Sequence, residues 1–216
     1  EVLSLYNLEK PKEALTDANF QTAVNLWFSD EANATMTYGH ISDWNTSAVT
    51  DMYQAFMGRT DFNEDISGWD VGNVISMQQL FRGASSFNQP IGGWDVSSVT
   101  NMGSIFRGAS SFNQPIGDWN VSGVTIMTSM FYSATCFNQD LSNWDMSSVI
   151  LAGEIFRNAQ SFNQPIGDWN TSSVTFMLRM FQGAVSFNHS IDNWDVSNVT
   201  SMAQMFQGAK IGRAHV

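Results

Sequence analysis

The chain is poor in cysteine and in basic residues, and it lacks a long apolar run. Cys136 is its single cysteine, which excludes an internal disulfide framework and a zinc site built on several cysteines. Nine Lys and Arg residues stand against 20 acidic residues, so the net charge is −11 at pH 7. Such sparse positive charge argues against nucleic acid as a partner. No segment reaches the roughly 18 apolar residues of a spanning helix, so we expect no transmembrane segment.

Apolar and aromatic residues, by contrast, are plentiful. Hydrophobic residues make up 43% of the chain and charged residues only 13%, with 16 Phe and 8 Trp. A disordered chain shows the opposite balance. The sequence therefore predicts a large buried core.

A period of 25 residues organises this core. Seven tryptophans follow one another at that spacing without an insertion: Trp44, Trp69, Trp94, Trp119, Trp144, Trp169 and Trp194. We number each position by its distance from the Trp of its repeat. Val recurs at position +5, Phe at +12, and a Phe-Asn pair at +18 and +19. A unit this small cannot bury its own aromatic residues, so successive copies must stack.

The pattern within one repeat predicts a strand followed by a helix. Trp94 and Val96 alternate with Asp95, as in a strand, and the apolar residues from Val99 to Phe106 then recur every three or four residues, as on a helix face. The predicted fold is an α/β repeat solenoid, leucine-rich-repeat-like, with ladders of the seven tryptophans. The asparagines after the second Phe should form a buried ladder bonded to loop backbone: Asn63, Asn88, Asn113, Asn138, Asn163 and Asn188.

The repeat resembles that of the BspA-like leucine-rich-repeat surface proteins, found in bacteria, algae and protists. The likeness rests on the spacing of the apolar residues Ile91, Trp94, Val96 and Val99. It also rests on the whole run from Phe87 to Met102 and on the segment from Ile105 to Ala109. It extends over residues 38–209. It implies a secreted or surface-displayed, non-catalytic protein that adheres to proteins or other cells, and hence an extracellular or cell-surface location.

The two ends lie outside the period. Residues 1–37 contain a predicted helix through Phe20 and Trp27, capped by Thr16-Asp17, and should cover the first repeat as an N-terminal helical cap. Residues 210–216 are interpreted as a non-native read-through tail, because the last six resemble a translated sequencing adapter. We therefore expect a fragment of a longer protein with no visible signal peptide.

No catalytic or cofactor motif emerges. His40, His189 and Cys136 are the remaining candidates for nucleophilic chemistry, but His40 and His189 have the character of surface variants and Cys136 that of a half-buried, inert thiol. The sequence contains no phosphate loop, dinucleotide fingerprint or metal-binding His-Glu pattern. The protein is therefore predicted not to be an enzyme and to hold no cofactor, with calcium as the one ion to consider.

An outward polar column follows the tryptophans at position +1. It comprises Asn45, Asp70, Asp95, Asn120, Asp145, Asn170 and Asp195. These are the candidate binding-surface residues, and Asp70, Asp95, Asp145 and Asp195 are weak candidates for calcium, which needs six to eight oxygens. A second set of candidate binding positions lies in the return loop and also varies between repeats: Gln89, Gln114, Gln139, Gln164 and His189. Glycosylation acceptor triplets begin at Asn33, Asn45, Asn120, Asn170, Asn188 and Asn198.

The leading functional hypothesis is a binding or adhesion module that contacts a protein or glycan through an extended repeat surface. Two alternatives stay open. One is a spacer that holds another domain away from a wall or membrane. The other is a repeat arm of a larger protein, such as an enzyme, whose active domain lies elsewhere. Ice binding is disfavoured because Thr46 and Thr171 are isolated at position +2.

Overall fold

A computed structural model describes residues 12–210, so the read-through interpretation of residues 211–216 and the start of the predicted cap lie outside the described residues. Two α-helices precede the repeats: α1, Phe20–Ser29, and α2, Glu31–Tyr38. The buried face of α1 carries Phe20, Ala23, Val24 and Trp27, which confirms the predicted helix. No helix between residues 12 and 210 has the length and apolarity to cross a membrane.

The prediction of an α/β leucine-rich-repeat-like solenoid is wrong. From residue 39 to residue 210, the regular elements are two short 3₁₀ helices, Ile41–Asp43 and Ile91–Gly93, and no repeat contains an α-helix or a continuous strand. The repeats are instead chains of tight turns. Parallel pairing between repeats is confined to single residues at position +7: Asp51, Ser76, Asn101, Ile126, Leu151, Phe176 and Ser201.

The Trp-Asp-Val run is not a strand because the N–H groups at its start and just after it bond locally. The N–H of Trp94 donates to the carbonyl of Ile91, the N–H of Ser97 donates to the Asp95 side chain, and the N–H of Val99 donates to the carbonyl of Val96. A strand pairs through N–H groups directed at its neighbours. With these donors used in turns, the run cannot join a sheet.

In place of the predicted helix, positions +8 to +15 form a series of tight turns that bond to the next repeat. The N–H groups of Met102, Ser104, Phe106 and Gly108 donate to carbonyls of the following repeat at 2.7 to 3.0 Å. The N–H groups of Ile105, Arg107 and Ala109 each close a turn onto the carbonyl three residues earlier, and that of Gly103 donates to the Asn101 side chain at 2.9 Å. Such alternation replaces the four-residue ladder of an α-helix. We call these eight-residue stretches the turn segments.

Left-handed backbone at two positions makes these turns possible. Position +14 has positive φ in every repeat and is glycine in five, as at Gly108, where φ is 72°. Position +10 also has positive φ throughout, between 53° and 60°, although no glycine occurs there. These residues are Gln54, Gln79, Ser104, Ser129, Glu154, Arg179 and Gln204. Since an α-helix requires negative φ at every residue, the turn segments cannot be helical.

Aromatic ladders fill the core. The Phe rings at +12 stack on one another at 5.6 to 5.8 Å between centroids, and those at +18 stack at 5.7 to 6.2 Å. All seven tryptophans are at most 7% exposed. From Trp69 onward each indole N–H donates to the carbonyl at position −3 of the preceding repeat, at 2.8 to 3.2 Å. The tryptophans therefore bury apolar area and also pair carbonyls inside the core.

Asp17 does not cap helix α1 as predicted, since Asn19 is the N-cap residue. Asp17 instead contacts the first repeat. Its carboxylate accepts hydrogen bonds from the backbone N–H and hydroxyl of Thr50, at 2.7 and 2.6 Å, and from the N–H of Asp51. In an interior repeat the N–H of Thr100 donates instead to the carbonyl of Ile75. Asp17 thus supplies the acceptor that a preceding repeat provides elsewhere.

Candidate functional site

The polar residues at position +1, which we call the Asx column, share one geometry in all seven repeats. Each side chain is exposed, and its Oδ1 accepts a hydrogen bond from the backbone N–H two residues later, at 2.9 to 3.2 Å. Asn and Asp favour such a turn because the side-chain oxygen mimics a backbone carbonyl. The fold therefore holds one side-chain oxygen of the column in the same place in every repeat.

Hydrogen bonding keeps several of the column's carboxylates ionised. The side chain and backbone of Ser97 hold the pKa of Asp95 below its usual value, and Ser147 and Ser197 act in the same way on Asp145 and Asp195. These hydrogen bonds stabilise the charged form. The column therefore carries fixed negative charge at neutral pH.

The calcium candidates are not gathered into a multidentate site. The carboxylates of Asp70 and Asp95 both lie near Gly72, within 3.6 Å of where a β-carbon on that residue would be. Within residues 12–210, no group of three or more His, Cys, Asp or Glu side chains is placed to hold a metal ion. Two carboxylates fall short of the oxygen set that calcium prefers.

The loop candidates are engaged with neighbouring repeats. The side-chain amides of Gln89, Gln114, Gln139 and Gln164 donate to the backbone carbonyl of the Asn in the preceding repeat, at 2.6 to 3.0 Å. His189 occupies the same place, with its Nε2 atom 3.1 Å from the carbonyl oxygen of Asn163. These positions stabilise stacking, so they offer less to a ligand than the Asx column does.

The Asn side chains form a ladder but are not buried as predicted. Each Oδ1 from Asn63 to Asn163 accepts the backbone N–H of the Asn in the next repeat, at 2.8 to 2.9 Å. The six residues are half-buried or exposed. A short polar side chain makes this bond at the rim of the repeat, because the Phe that precedes it points inward.

The candidates for catalysis do not assemble a reactive group. The Nδ1 atom of His40 lies 2.8 Å from the hydroxyl oxygen of Ser42, and that hydroxyl donates to Asp43 at 3.3 Å. In a nucleophilic triad the histidine lies between the serine and the acid, so this order is the wrong one. Cys136 is exposed rather than half-buried, and His189 bonds the loop backbone.

A row of cationic and aromatic side chains at position +13 was missed from the sequence. The guanidinium groups of Arg107 and Arg157 lie over the ring of Tyr132, 4.4 and 5.0 Å from its centroid. Arg157 also pairs with Glu154 at 2.6 Å, and Arg82 donates to Gln79 at 2.8 Å. We call Arg82, Arg107, Tyr132 and Arg157 the basic strip. The invariant Phe at position +12 aligns the repeats, so a comparison of the residue that follows it would have revealed the strip.

The repeats match the model of a known protein family. The family model described as "Mycoplasma protein of unknown function, DUF285" matches residues 22–135 and 115–215. The chain belongs to this family. Two overlapping matches agree with a tandem repeat that continues through both. No curated protein and no solved structure matches the chain. DUF285 membership assigns no activity or ligand.

Proposed function

We propose that this DUF285 repeat array is a non-catalytic binding module of an extracellular or cell-surface protein, related to the BspA-like surface repeats. In this proposal the Asx column contacts a protein or glycan. The supporting observation is that the column has the same hydrogen-bonded geometry in seven repeats, while its residue alternates between Asn and Asp. The scaffold thus holds a row of polar groups in fixed orientation.

Polar recognition suits this surface better than apolar docking. Among the described residues, Tyr53 is the only aromatic side chain among the large hydrophobic residues that are more than two-fifths exposed. Carboxylates, amides and neighbouring serine hydroxyls dominate the column instead. Such groups recognise hydroxyl-rich or amide-rich ligands through hydrogen bonds.

A glycan and cell-surface protein array, probed with the whole chain in calcium and in chelator, tests this proposal. Asp70, Asp95 and Asp145 would be replaced together by Asn, because Asn45, Asn120 and Asn170 form the same turn in the native column. Saturable binding that this variant weakens supports the proposal. Replacing Asp118, Asp140 and Asp168 by Asn is the matched control, since it removes three charges outside the column.

The outcomes separate the alternatives. Binding in both calcium and chelator assigns recognition to the side chains alone, whereas binding abolished by chelator assigns a bridging role to calcium. A blank array with folded protein in both conditions contradicts the proposal and favours the spacer, which the continuous bonding between repeats supports as a rigid element.

A further inference from the structure

Charge is segregated around the repeats. Within residues 38–209 all five arginines fall in the turn segments, together with one acidic residue, Glu154. The other 13 acidic residues of this range lie outside the turn segments, where there is no lysine or arginine. An array with a strongly negative total therefore carries a band of positive charge, which neighbouring molecules would sense at low salt.

The basic strip and the Asx column lie on different faces around the core. The Trp ring at position 0 and the Phe ring at +12 of the preceding repeat meet inside it, as Trp119 and Phe106 do with centroids 6.1 Å apart. Positions +1 and +13 directly follow these inward residues, and their side chains are exposed or half-exposed. Among the described residues the ion pairs both involve Glu154, with Arg157 and with Arg179. The column and the strip therefore do not neutralise each other within one molecule.

The two rows match repeat by repeat. The second, third and fifth repeats combine Asp at +1 with Arg at +13, as Asp70 with Arg82, Asp95 with Arg107, and Asp145 with Arg157. The first, fourth and sixth repeats combine Asn with a residue that carries no charge at neutral pH. These pairs are Asn45 with Met57, Asn120 with Tyr132, and Asn170 with Gln182. The last repeat departs from the rule, with Asp195 and Gln207.

We propose that a second copy of this chain docks side by side, parallel and in register, with the Asx column of one copy against the basic strip of the other. Both rows repeat once every 25 residues, so they advance together along the array and each Asp meets an Arg. A shift by one repeat breaks this match, because Tyr132 then faces a carboxylate. Exposed ion pairs are weak singly, but a row in fixed geometry acts together.

The contact is heterologous, since it joins two different surfaces of the same protein. Each bound pair leaves one column and one strip free, so association continues into open rows rather than closing as a dimer. The contact uses the same Asx column that the proposed function assigns to a protein or glycan ligand, so a second copy and that ligand compete for it. Only the copy at one end of a row keeps its column free.

Sedimentation velocity of the full chain across concentration and salt tests the inference. We expect association at about 20 mM salt that weakens at least tenfold by about 500 mM, where the Debye length falls to a few ångströms. A strip variant replaces Arg82, Arg107 and Arg157 by Gln, the residue found at Gln182 and Gln207. A column variant replaces Asp70, Asp95 and Asp145 by Asn. Each replacement is a residue that other repeats of the native chain carry at the same position, so both variants should fold.

The decisive measurement mixes the two variants. Each variant alone should be monomeric, because one side of its only contact is neutralised. An equimolar mixture should give a species of two chains and no larger one, because the intact strip of the column variant meets the intact column of the strip variant. The replacement of Arg59 by Gln serves as a control and should leave rows intact, since Arg59 donates to Asn25 and lies off the strip.

Other outcomes overturn the inference. A wild-type chain that stays monomeric at low salt and millimolar concentration contradicts it, as does a mixture of the two variants that fails to pair. If the strip variant alone abolishes association while the column variant leaves it unchanged, the strip binds another acidic surface and this register is wrong.

Discussion

Replacing Phe106 by Ala measures how much the ring ladders contribute to stability. Phe106 is fully buried, and its ring lies 3.9 Å from Phe112, with Phe81 at 5.8 Å and Phe131 at 5.7 Å. Truncation leaves a cavity bounded by rings of three successive repeats. Because these rings are fixed by their own neighbours, the cavity cannot collapse, and we expect a loss of about 3 to 5 kcal/mol in the free energy of unfolding.

Phe206 is the matched control for this substitution. It occupies position +12 in the last repeat, is partly buried, and stacks on Phe181 at 5.6 Å. The same truncation there should cost about 1 to 2 kcal/mol, because less area leaves water on folding. Urea unfolding followed by tryptophan fluorescence compares the two variants, and hydrogen exchange locates the loss if unfolding is not two-state. Equal costs at the two sites would refute the ladder argument.

Three further predictions concern backbone and charge. Replacing Gly92 by Ala should lower the free energy of unfolding by about 1 to 3 kcal/mol, since a β-carbon would lie 2.3 Å from the carbonyl oxygen of Pro115. The same change at Gly93, which has open space around it, should alter that free energy by no more than about 0.5 kcal/mol, as measured by urea unfolding. Replacing Ser133, where φ is 56°, by Gly should raise the melting temperature through about 0.5 to 1 kcal/mol of relieved strain, and an unchanged temperature would contradict this. Burial raises the pKa of Asp17, but hydrogen bonds from the first repeat outweigh this effect and lower it, so its stabilisation is present at neutral pH and is lost as pH falls through that lowered pKa. The stability difference between wild type and Asp17→Asn should shrink between about pH 7 and pH 2; a constant difference would show that the charge has no role.

The sequence predicts which side chains point inward better than it predicts the backbone that carries them. Spacings of three and four residues from Val99 to Phe106 occur in an α-helix, and a series of tight turns produces the same spacing. Left-handed conformation at position +10 leaves no local signal, because Gln, Ser, Glu and Arg occupy it. In the first six repeats the N–H of this residue donates to a carbonyl of the next repeat, and Gln204 in the last repeat has the same φ. Helix α1, which needs no such neighbour, follows its amphipathic pattern closely.

The candidate surfaces divide in the same way. Exposure of the Asx column agrees with the alternation around each Trp, since neighbouring side chains point to opposite sides. Engagement of Gln89 and its equivalents depends on a carbonyl 26 residues away, which no local pattern reveals. The basic strip is hard to recognise from the sequence because position +13 does not keep one residue type. Its regularity lies in how its charge matches that of position +1.

Hydrogen bonds that join residue 104 to residue 128 and residue 106 to residue 130 also constrain how such a gene can change in length. Duplication or loss of a unit of 75 nucleotides preserves every partner on both sides of the junction. Insertion of one codon changes the separation of every bonded pair that spans it, while pairs wholly on either side keep theirs. Natural variation in length should therefore occur in whole repeats, with single-codon differences confined to the segment before the first Trp.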